Sequence, residues 1–534
     1  MNVKNKLFNK YVLYVICFVI LNVFDVLREM QFASLQIGQR YIRLEDVLPG
    51  YKMADIWLIV ENSIGLIMML VVLSGYEIKK FITKINLVWT GLCVAAMIVL
   101  PYIRTGKYGT ILIQEEIAII NIWWIVLVAK QICVKAIREK KNPIKFNWLT
   151  CLWIAITLCM FLSVAPTNIW PIFYLGMFGC FYLTKYKKGD IKRLFEAMLD
   201  GSILAFVLLQ TVACLLRPYD IVRYPMLYSD CNRAAAYYLI IYVMILAKLH
   251  LTYIRNAKRS VKIGCVVGQG CTLVLMFMTG CRTVWVTAIV VTVLYGIFVV
   301  KILWKQKWSN VIHRGIVLVI TIVIMFYPTY WIIRWTPTIV PARLWYSTEF
   351  DRLPREVLVG ESKYSEKYVD LGELLRLQLG RFSRMLPFDE ENKTVASVVE
   401  KDSSVNERFS IYRMYYEELT WYGNNPSAQK NYEMRYHAHN LYLQIAYFYG
   451  IPAGILLIVI AIGLLGYHGY KVLKYKDDCY VIIPFMVCVI FFCSGLMNVV
   501  WVTGQFMLFL LFFTQYPLGN DTDKIEGKCS ESKG

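Results

Sequence analysis

Apolar runs recur along almost the whole chain and constrain its fold more than any other feature. Each run of about 17 to 25 residues is long enough to cross a hydrocarbon core of roughly 30 Å as a helix. Of the 534 residues, 58% are hydrophobic, and the mean hydropathy of +0.50 lies above the range of soluble proteins. Because backbone groups inside a bilayer must bond within their own segment, helices suit this pattern. The sequence therefore predicts an all-α polytopic membrane protein.

The apolar runs predict about fourteen transmembrane helices. Their predicted ranges are 8–24, 55–74, 85–102, 110–133, 147–164, 169–185, 194–215, 233–254, 263–280, 283–300, 316–333, 440–466, 480–498 and 500–517. The predicted domains are transmembrane helices 1 to 11 (1–333), a large extracytoplasmic loop (334–439), transmembrane helices 12 to 14 (440–517) and a cytoplasmic tail (518–534).

The distribution of lysine and arginine predicts which ends of the helices face the cytoplasm. If the N-terminus is inside, the cytoplasmic segments hold 32 Lys and Arg residues, against 10 in the short outer connections. Cytoplasmic connections carry such an excess in membrane proteins. We therefore predict a multi-pass protein of the cell membrane with both termini cytoplasmic. The net charge of +20 faces anionic lipid at the cytoplasmic rim, and nothing in its distribution indicates nucleic acid.

The loop 334–439 ends in a recognisable helix signal. Ser404 and Glu407 have the capping-box spacing, which marks a helix start, and an amphipathic helix is predicted over 405–422. On this helix Arg408 and Tyr412 are four residues apart and share a face. Arg413 is four residues before a glutamate, so it either forms an exposed ion pair or contributes to a binding site. A loop of this length is typical of a functional segment.

Histidines gather at one place only, the junction between this loop and the next apolar run. The chain has five histidines, and His437 and His439 are two of them. If a helix begins near Asn440, its first-turn amides and positive dipole end face whatever lies beside His439, which suits an anionic ligand. The alternative is that His439 and Asn440 only cap the helix.

Two earlier elements are predicted to reach the same side of the membrane. The first is Asp230-Cys-Asn232 at the start of a span, with Arg217 and Arg223 shortly before it. The second is the turn Thr279-Gly-Cys-Arg282, which ends one span and opens the next. Arg282 therefore stays at membrane depth, where a charge is costly and is more often functional.

These residue types together suit the transfer of a group away from a diphosphate. Arginines grip phosphate with paired hydrogen bonds, and a histidine can deprotonate the attacking hydroxyl. The diphosphate is a good leaving group, so the protein mainly has to neutralise its developing charge. No third metal ligand accompanies His437 and His439, and no nucleotide-binding loop occurs. We therefore predict metal-independent chemistry without a cofactor.

At these residues the chain resembles the O-antigen ligase and polymerase family of membrane glycosyltransferases. His439-Asn440, followed after nine residues by Gly450, is similar to the ligase pattern, and Asp230-Cys-Asn232 is similar to the Asp-Pro-Asn element of the family. Thr279-Gly-Cys-Arg282 and 407–426 are similar to its Ser-Arg element and its outer-loop helix.

The resemblance implies a helical bundle with a large outer loop that acts on polyprenyl-diphosphate-linked oligosaccharide. It also implies that His439 is the general base and that Arg282 and Arg408 bind the diphosphate. We place seven further residues at the substrate: Asn232, Arg217, Arg223, Arg413, His437, Asn440 and Tyr412.

Several functions remain open from the sequence. A polymerase of capsular, exo- or O-antigen-type polysaccharide, inverting at the sugar, is favoured, and a ligase that hands the glycan to another acceptor is the nearest alternative. A flippase for lipid-linked oligosaccharide would also show about fourteen spans but does not need the large outer loop. A structural scaffold would not explain Arg282. Candidate partners are the lipid bilayer, a flippase and a chain-length regulator.

Overall fold

A computed structural model describes most of the helical parts of the chain. The described residues are 10–30, 33–37, 40–44, 83–106, 148–164, 188–217, 223–303, 305–346, 404–424, 438–475 and 480–496, with short helical stretches between 119 and 137. The chain divides into two compact units. Unit 1 comprises Met1–Leu21, Asp55–Gly201 and Glu407–Gly534, and unit 2 comprises Asn22–Ala54 and Ser202–Asn406.

The described elements are mainly long helices. In chain order they are α1 (Lys10–Met30), β1 (Ala33–Ile37), β2 (Arg40–Arg43), α2 (Lys84–Thr105), α3 (Trp148–Phe161), α4 (Lys188–Leu216), α5 (Cys231–Ile254), α6 (Arg259–Thr279), α7 (Arg282–Tyr295, continued by a π-helix Gly296–Leu303), α8 (Trp308–Trp335), a 3₁₀ turn (Thr336–Thr338), β3 (Ala342–Tyr346), α9 (Ser404–Glu417), α10 (Leu441–Tyr449), α11 (Ile451–Lys474) and α12 (Ile482–Gly495).

Seven of the described helices are long and apolar enough to cross a membrane, and three shorter apolar helices accompany them. The chain therefore has the character of a helical polytopic membrane protein. The predicted span 233–254 lies within α5, and 316–333 lies within α8. The predicted span 263–280 lies within α6 except for its last residue. The predicted spans 55–74, 169–185 and 500–517, and most of 110–133, lie outside the described residues, so the full number of spans stays a prediction.

The helices α5 to α8 form the best-defined bundle of unit 2. Helix α5 packs against α6, and α6 packs against α8. A Cβ atom at Gly270 of α6 would lie only 2.7 Å from the Thr321 side chain of α8, so the glycine allows these two backbones to approach closely. Small residues serve this purpose where helices pack inside a membrane. Between residues 234 and 251 almost every side chain of α5 is buried, so α5 lies at the centre of the bundle.

A three-stranded antiparallel sheet adds to the helical fold that the sequence predicts. The strand order is β2-β1-β3, with Leu35 of β1 opposite Ile42 of β2 and Leu344 of β3. The buried Trp345 donates a 2.7 Å hydrogen bond from its ring nitrogen to the Gln36 side chain. The sheet joins the connection after the first helix to the start of the long loop, two segments that the Lys and Arg count assigns to the same side of the membrane.

In unit 1, the predicted span 440–466 is wrong as a single helix. The chain forms α10 and α11, separated at Gly450, whose φ is +97°. Pro452 follows in the first turn of α11, where proline is tolerated because no helical partner is needed there. The predicted amphipathic helix 405–422 is present as α9, but it ends at Glu417.

Candidate functional site

His439 lies at the point in unit 1 where three helices meet. Asn440 caps α10 by accepting a hydrogen bond on its side-chain oxygen from the Leu443 amide (3.0 Å). Its side-chain nitrogen donates to the Leu496 carbonyl beyond α12 (3.1 Å). The Tyr412 hydroxyl of α9 donates to the His439 carbonyl (3.1 Å) and lies 3.3 Å from the same Leu496 oxygen. The backbone around His439 is therefore fixed from both sides.

The backbone at His439 adopts a left-handed conformation, with φ of 50°. Non-glycine residues are uncommon there, and such strain clusters at functional sites. The residues on either side are restrained, because the buried Ala438 donates its amide to the Gln444 side chain (2.6 Å). His439 itself is half-buried. The side-chain cap of α10 is Asn440, which is the capping role that the sequence analysis gave as the alternative for this pair.

Helix α9 packs one face against α10 and leaves the other in contact with solvent. Ile411, Tyr415 and Tyr447 form its buried contact with α10, and the two tyrosine rings meet edge to face at 4.7 Å. Arg413 lies on the opposite face and forms a 2.8 Å ion pair with Glu417, both largely exposed. The exposed ion pair expected from the sequence is therefore present. The side chain of Arg408 and the whole of His437 lie outside the described residues.

Backbone hydrogen bonds join the segment after α9 to the residues around Gly450, where α10 ends and α11 begins. Asn424 donates its amide to the Tyr447 carbonyl (2.8 Å), and Ile451 donates to the Thr420 carbonyl (3.0 Å). A Cβ atom at Gly450 would lie 2.1 Å from the Trp421 carbonyl oxygen, and one at Gly423 would lie 2.1 Å from a backbone oxygen of α10. The nine residues between Asn440 and Gly450 are those of the short helix α10, which is held at both ends.

In unit 2, Arg223 links two of the motifs that the sequence analysis singled out. Its Nε donates to the Thr279 carbonyl (2.6 Å), and its Nη2 donates to the Asn232 side-chain oxygen (3.0 Å). Asp230 caps α5 by accepting from the Asn232 amide (3.0 Å). Thr279 ends α6 just before Arg282, a half-buried residue that opens α7. The starts of α5 and α7 therefore lie beside each other, with Arg223 between them.

The contacts of Arg217 favour a role in the fold. This side chain is 1% exposed, although it was predicted to bind substrate. Its Nη1 donates to the Leu344 carbonyl of β3 (2.7 Å), and its guanidinium lies over the Tyr346 ring at 5.2 Å. It therefore covers the open edge of β3, which would otherwise present unpaired backbone groups.

The predicted site residues thus fall into two described groups. Unit 1 holds His439, Asn440, Tyr412 and Arg413, of which the first three are in one hydrogen-bonded network. Unit 2 holds Arg223, Asn232 and the Arg282 turn in one cluster. Arg217, also in unit 2, contacts strand β3 of the sheet. Among the described residues, no group of three His, Cys, Asp or Glu side chains could hold a metal ion.

Two buried contacts escaped the sequence analysis. Tyr228 donates a 2.9 Å hydrogen bond to Asp25 of α1, and the Tyr224 amide donates to the Met278 carbonyl near the end of α6 (2.9 Å). Burial raises the pKa of the Tyr224 hydroxyl well above its usual value. These groups hold the segment before α5 against the rest of unit 2. The sequence signal available was weak, a single aspartate directly after the first predicted span.

Replacing Arg223 with lysine is expected to loosen the cluster in unit 2. Lysine has a single ammonium group and lacks the planar guanidinium fork, so it cannot donate to both the Thr279 carbonyl and the Asn232 side chain. Losing one charge-assisted hydrogen bond costs about 1.5 to 3 kcal/mol. Thermal unfolding of the purified protein should therefore begin at a lower temperature in Arg223→Lys. Arg233→Lys, at an exposed position in the first turn of α5, is the matched control, and an equal shift in both variants would show that the bridge contributes nothing.

Comparisons of the chain with protein-family models, with curated proteins and with solved structures found no match in any of the three.

Proposed function

We propose that the protein is a polymerase of surface polysaccharide that transfers a polyprenyl-diphosphate-linked glycan to a sugar hydroxyl. The observation that carries the proposal is the Arg223 bridge between Asn232 and Thr279, beside the starts of two helices. Helix N-termini and arginines both favour a bound diphosphate. The seven long apolar helices support a protein of the membrane, and the Lys and Arg count predicts that the proposed site is extracytoplasmic.

Arg282 and Arg408 are proposed to bind the diphosphate of the donor. Arg282 is half-buried at the first turn of α7, where the positive end of the helix dipole adds to its charge. As the donor reacts, negative charge builds up on the diphosphate, and a partly desolvated arginine stabilises that charge more strongly than water does. Asn232 and Arg223 would hold the neighbouring backbone in place.

His439 is the proposed general base. The bond from the anomeric carbon to the diphosphate oxygen breaks, the bond from the same carbon to the acceptor oxygen forms, and polyprenyl diphosphate leaves. His439 takes the proton of the acceptor hydroxyl. The ring is half-buried and its backbone is fixed by Tyr412 and Asn440, and a fixed base is what proton transfer needs. Direct displacement of this kind inverts the anomeric centre.

The ligase and the flippase remain the competing functions. A ligase would use the same chemistry on a different acceptor, whereas a flippase would move the donor without breaking a bond. The large outer loop that leads into the histidine junction favours bond-breaking chemistry over transport, since a flippase does not need such a loop.

Deleting the gene and analysing the lipid-linked glycans separates these functions. A polymerase mutant should accumulate single lipid-linked repeat units outside the membrane and lose the long polymer. A ligase mutant should accumulate long lipid-linked chains instead. Accumulation of single units on the cytoplasmic side would overturn the proposal in favour of a flippase.

A further inference from the structure

Three aromatic side chains lie exposed on α9 and on the segment that follows it. Tyr416 is 70% exposed, and Trp421 and Tyr422 are each 67% exposed. No other aromatic side chain among the described residues is as exposed as these three. Exposed aromatic residues that lie close together mark a binding surface more often than scattered ones do. This segment of unit 1 is therefore a candidate for a ligand that packs on aromatic rings.

The exposed rings extend away from the His439 junction. At the start of α10 the Tyr412 hydroxyl donates to the His439 carbonyl (3.1 Å). Just beyond the other end of α10 the Ile451 amide donates to the Thr420 carbonyl (3.0 Å). The chain from α9 onwards therefore runs alongside α10 in the same direction. Tyr416 is four residues after Tyr412 and shares its face of α9, so the exposed rings begin one helical turn from the contact with His439.

The backbone that carries Trp421 and Tyr422 is fixed in place. The Tyr422 carbonyl accepts from the Val164 amide after α3 (3.0 Å). The Trp421 carbonyl oxygen lies against Gly450, where a Cβ atom would be only 2.1 Å away. A ring on a fixed backbone loses little conformational freedom when a ligand packs against it. The two rings are therefore pre-organised for binding.

Exposed carboxylates lie among these rings. Glu417 and Glu418 directly follow Tyr416 and are both exposed. Glu417 accepts from Arg413 (2.8 Å) and Glu418 from Tyr447 (3.4 Å), but a carboxylate has about four acceptor positions and can accept more. Because charge is costly among lipid chains, this face does not suit insertion into the bilayer. A saccharide fits both groups, since its C–H face packs on aromatic rings and its hydroxyls donate to carboxylates.

We propose that Tyr416, Trp421 and Tyr422 form an aromatic platform that binds the glycan chain at sugars away from the reacting bond. Helix α10 has nine residues, which is about 14 Å at 1.5 Å per residue, and it separates the Trp421 end of the platform from His439. The platform therefore holds the chain and takes no part in the bond-breaking step. This inference rests on the proposed function, because it assigns the platform to the same glycan.

Binding of lipid-free glycan to the purified full-length protein tests the platform. The probe is the surface polysaccharide of the cells that make the protein, cut into oligosaccharides of several repeat units. Isothermal titration calorimetry in detergent gives the affinity. The double variant Trp421→Ala/Tyr422→Ala should bind about thirtyfold more weakly, since one stacking ring contributes about fivefold or more. The contacts that fix this segment use backbone atoms of both residues, so the variant keeps them.

Two variants provide the controls. Trp421→Phe/Tyr422→Phe keeps both rings and should bind within a few-fold of the wild type. Phe161→Ala removes a 51% exposed ring of α3 in the same unit and should change nothing. No binding by the wild type, or undiminished binding by the double Ala variant, would overturn the proposal. So would quenching of Trp421 fluorescence by brominated lipid, measured as the difference between wild type and Trp421→Phe, because the ring would then lie in the bilayer.

Polymer length separates a failure of the platform from a failure of the proposed function. In proteoliposomes the double Ala variant should still join repeat units, because His439 is unchanged, but its polymer should be shorter. Polymer of wild-type length from this variant would contradict the platform alone. A wild type that makes no polymer, yet binds the oligosaccharide through Trp421 and Tyr422, would contradict the polymerase function and support the platform.

Discussion

Replacing His439 with asparagine is expected to lower the rate of glycan transfer by about 10² to 10⁴, the usual contribution of a positioned general base. Asparagine is the informative choice because it tolerates the left-handed backbone that His439 adopts, with φ of 50°, whereas alanine would add strain. The Asn440 cap and the Tyr412 contact do not use the imidazole. Both contacts are therefore kept in the variant, and transfer is measured as the growth of polymer from lipid-linked repeat units.

A second histidine provides the control for this substitution. His313 is exposed near the start of α8 and has no proposed role, so His313→Asn should transfer glycan at the wild-type rate. Polymer of normal length and yield from the His439→Asn variant would refute the assignment of the base. Loss of activity together with a lower unfolding temperature would indicate that His439 serves the fold instead.

Replacing Gly450 with alanine is expected to destabilise the protein by about 3 kcal/mol or more. The new methyl group would lie 2.1 Å from the Trp421 carbonyl oxygen, which is too close for any contact, and the backbone there has a φ of +97°. Strain at such a conformation and overpacking each cost about 1 to 3 kcal/mol. Thermal unfolding of the purified protein in detergent should show a large drop in the midpoint temperature.

Gly466, in the same helix α11 as the residues that follow the break, is the matched control. A Cβ atom at Gly466 would meet nothing within 4 Å, and alanine is the better helix former. Gly466→Ala should therefore leave the midpoint unchanged or raise it slightly. A Gly450→Ala protein as stable as the wild type would show that the lock between the segment after α9 and the start of α11 is not needed.

The sequence predicted the helices of unit 2 because each apolar run there is bounded by Lys, Arg or Gly. Gly280, for example, ends α6 in a left-handed conformation, and Arg282 opens α7 directly afterwards. Asn440 was likewise readable as the start of a helix. Local patterns were sufficient in these places because the signal and the structure lie within a few residues of each other.

Long-range pairing could not be read in the same way. Strands β1 and β3 are short and lie about three hundred residues apart in the chain, and their pairing is a property of the fold. Arg217 is predicted to bind substrate, and the fold brings its guanidinium to the Leu344 carbonyl of β3, a contact that has no signal in the local sequence. The break at Gly450 was hidden by apolar residues on both sides, although Pro452 two residues later was an available signal.

Contacts within each unit agree with the predicted arrangement of helix ends. In unit 1, the Val164 amide after α3 donates to the Tyr422 carbonyl after α9 (3.0 Å), and both residues were predicted to lie on the extracytoplasmic side. In unit 2, the cytoplasmic assignments of the loops around Tyr253 and Arg314 are matched by the contact between those two residues. The side of the membrane that each end faces remains a prediction from the Lys and Arg count.

Reconstitution of the purified protein in proteoliposomes, with a lipid-diphosphate-linked repeat unit as the sole substrate, tests glycan transfer most directly. The proposal predicts glycans of two or more repeat units, one polyprenyl diphosphate released for each new bond, and inversion at the anomeric carbon, without added metal or nucleotide. Repeat units that stay single, whether or not they cross the bilayer, would contradict it.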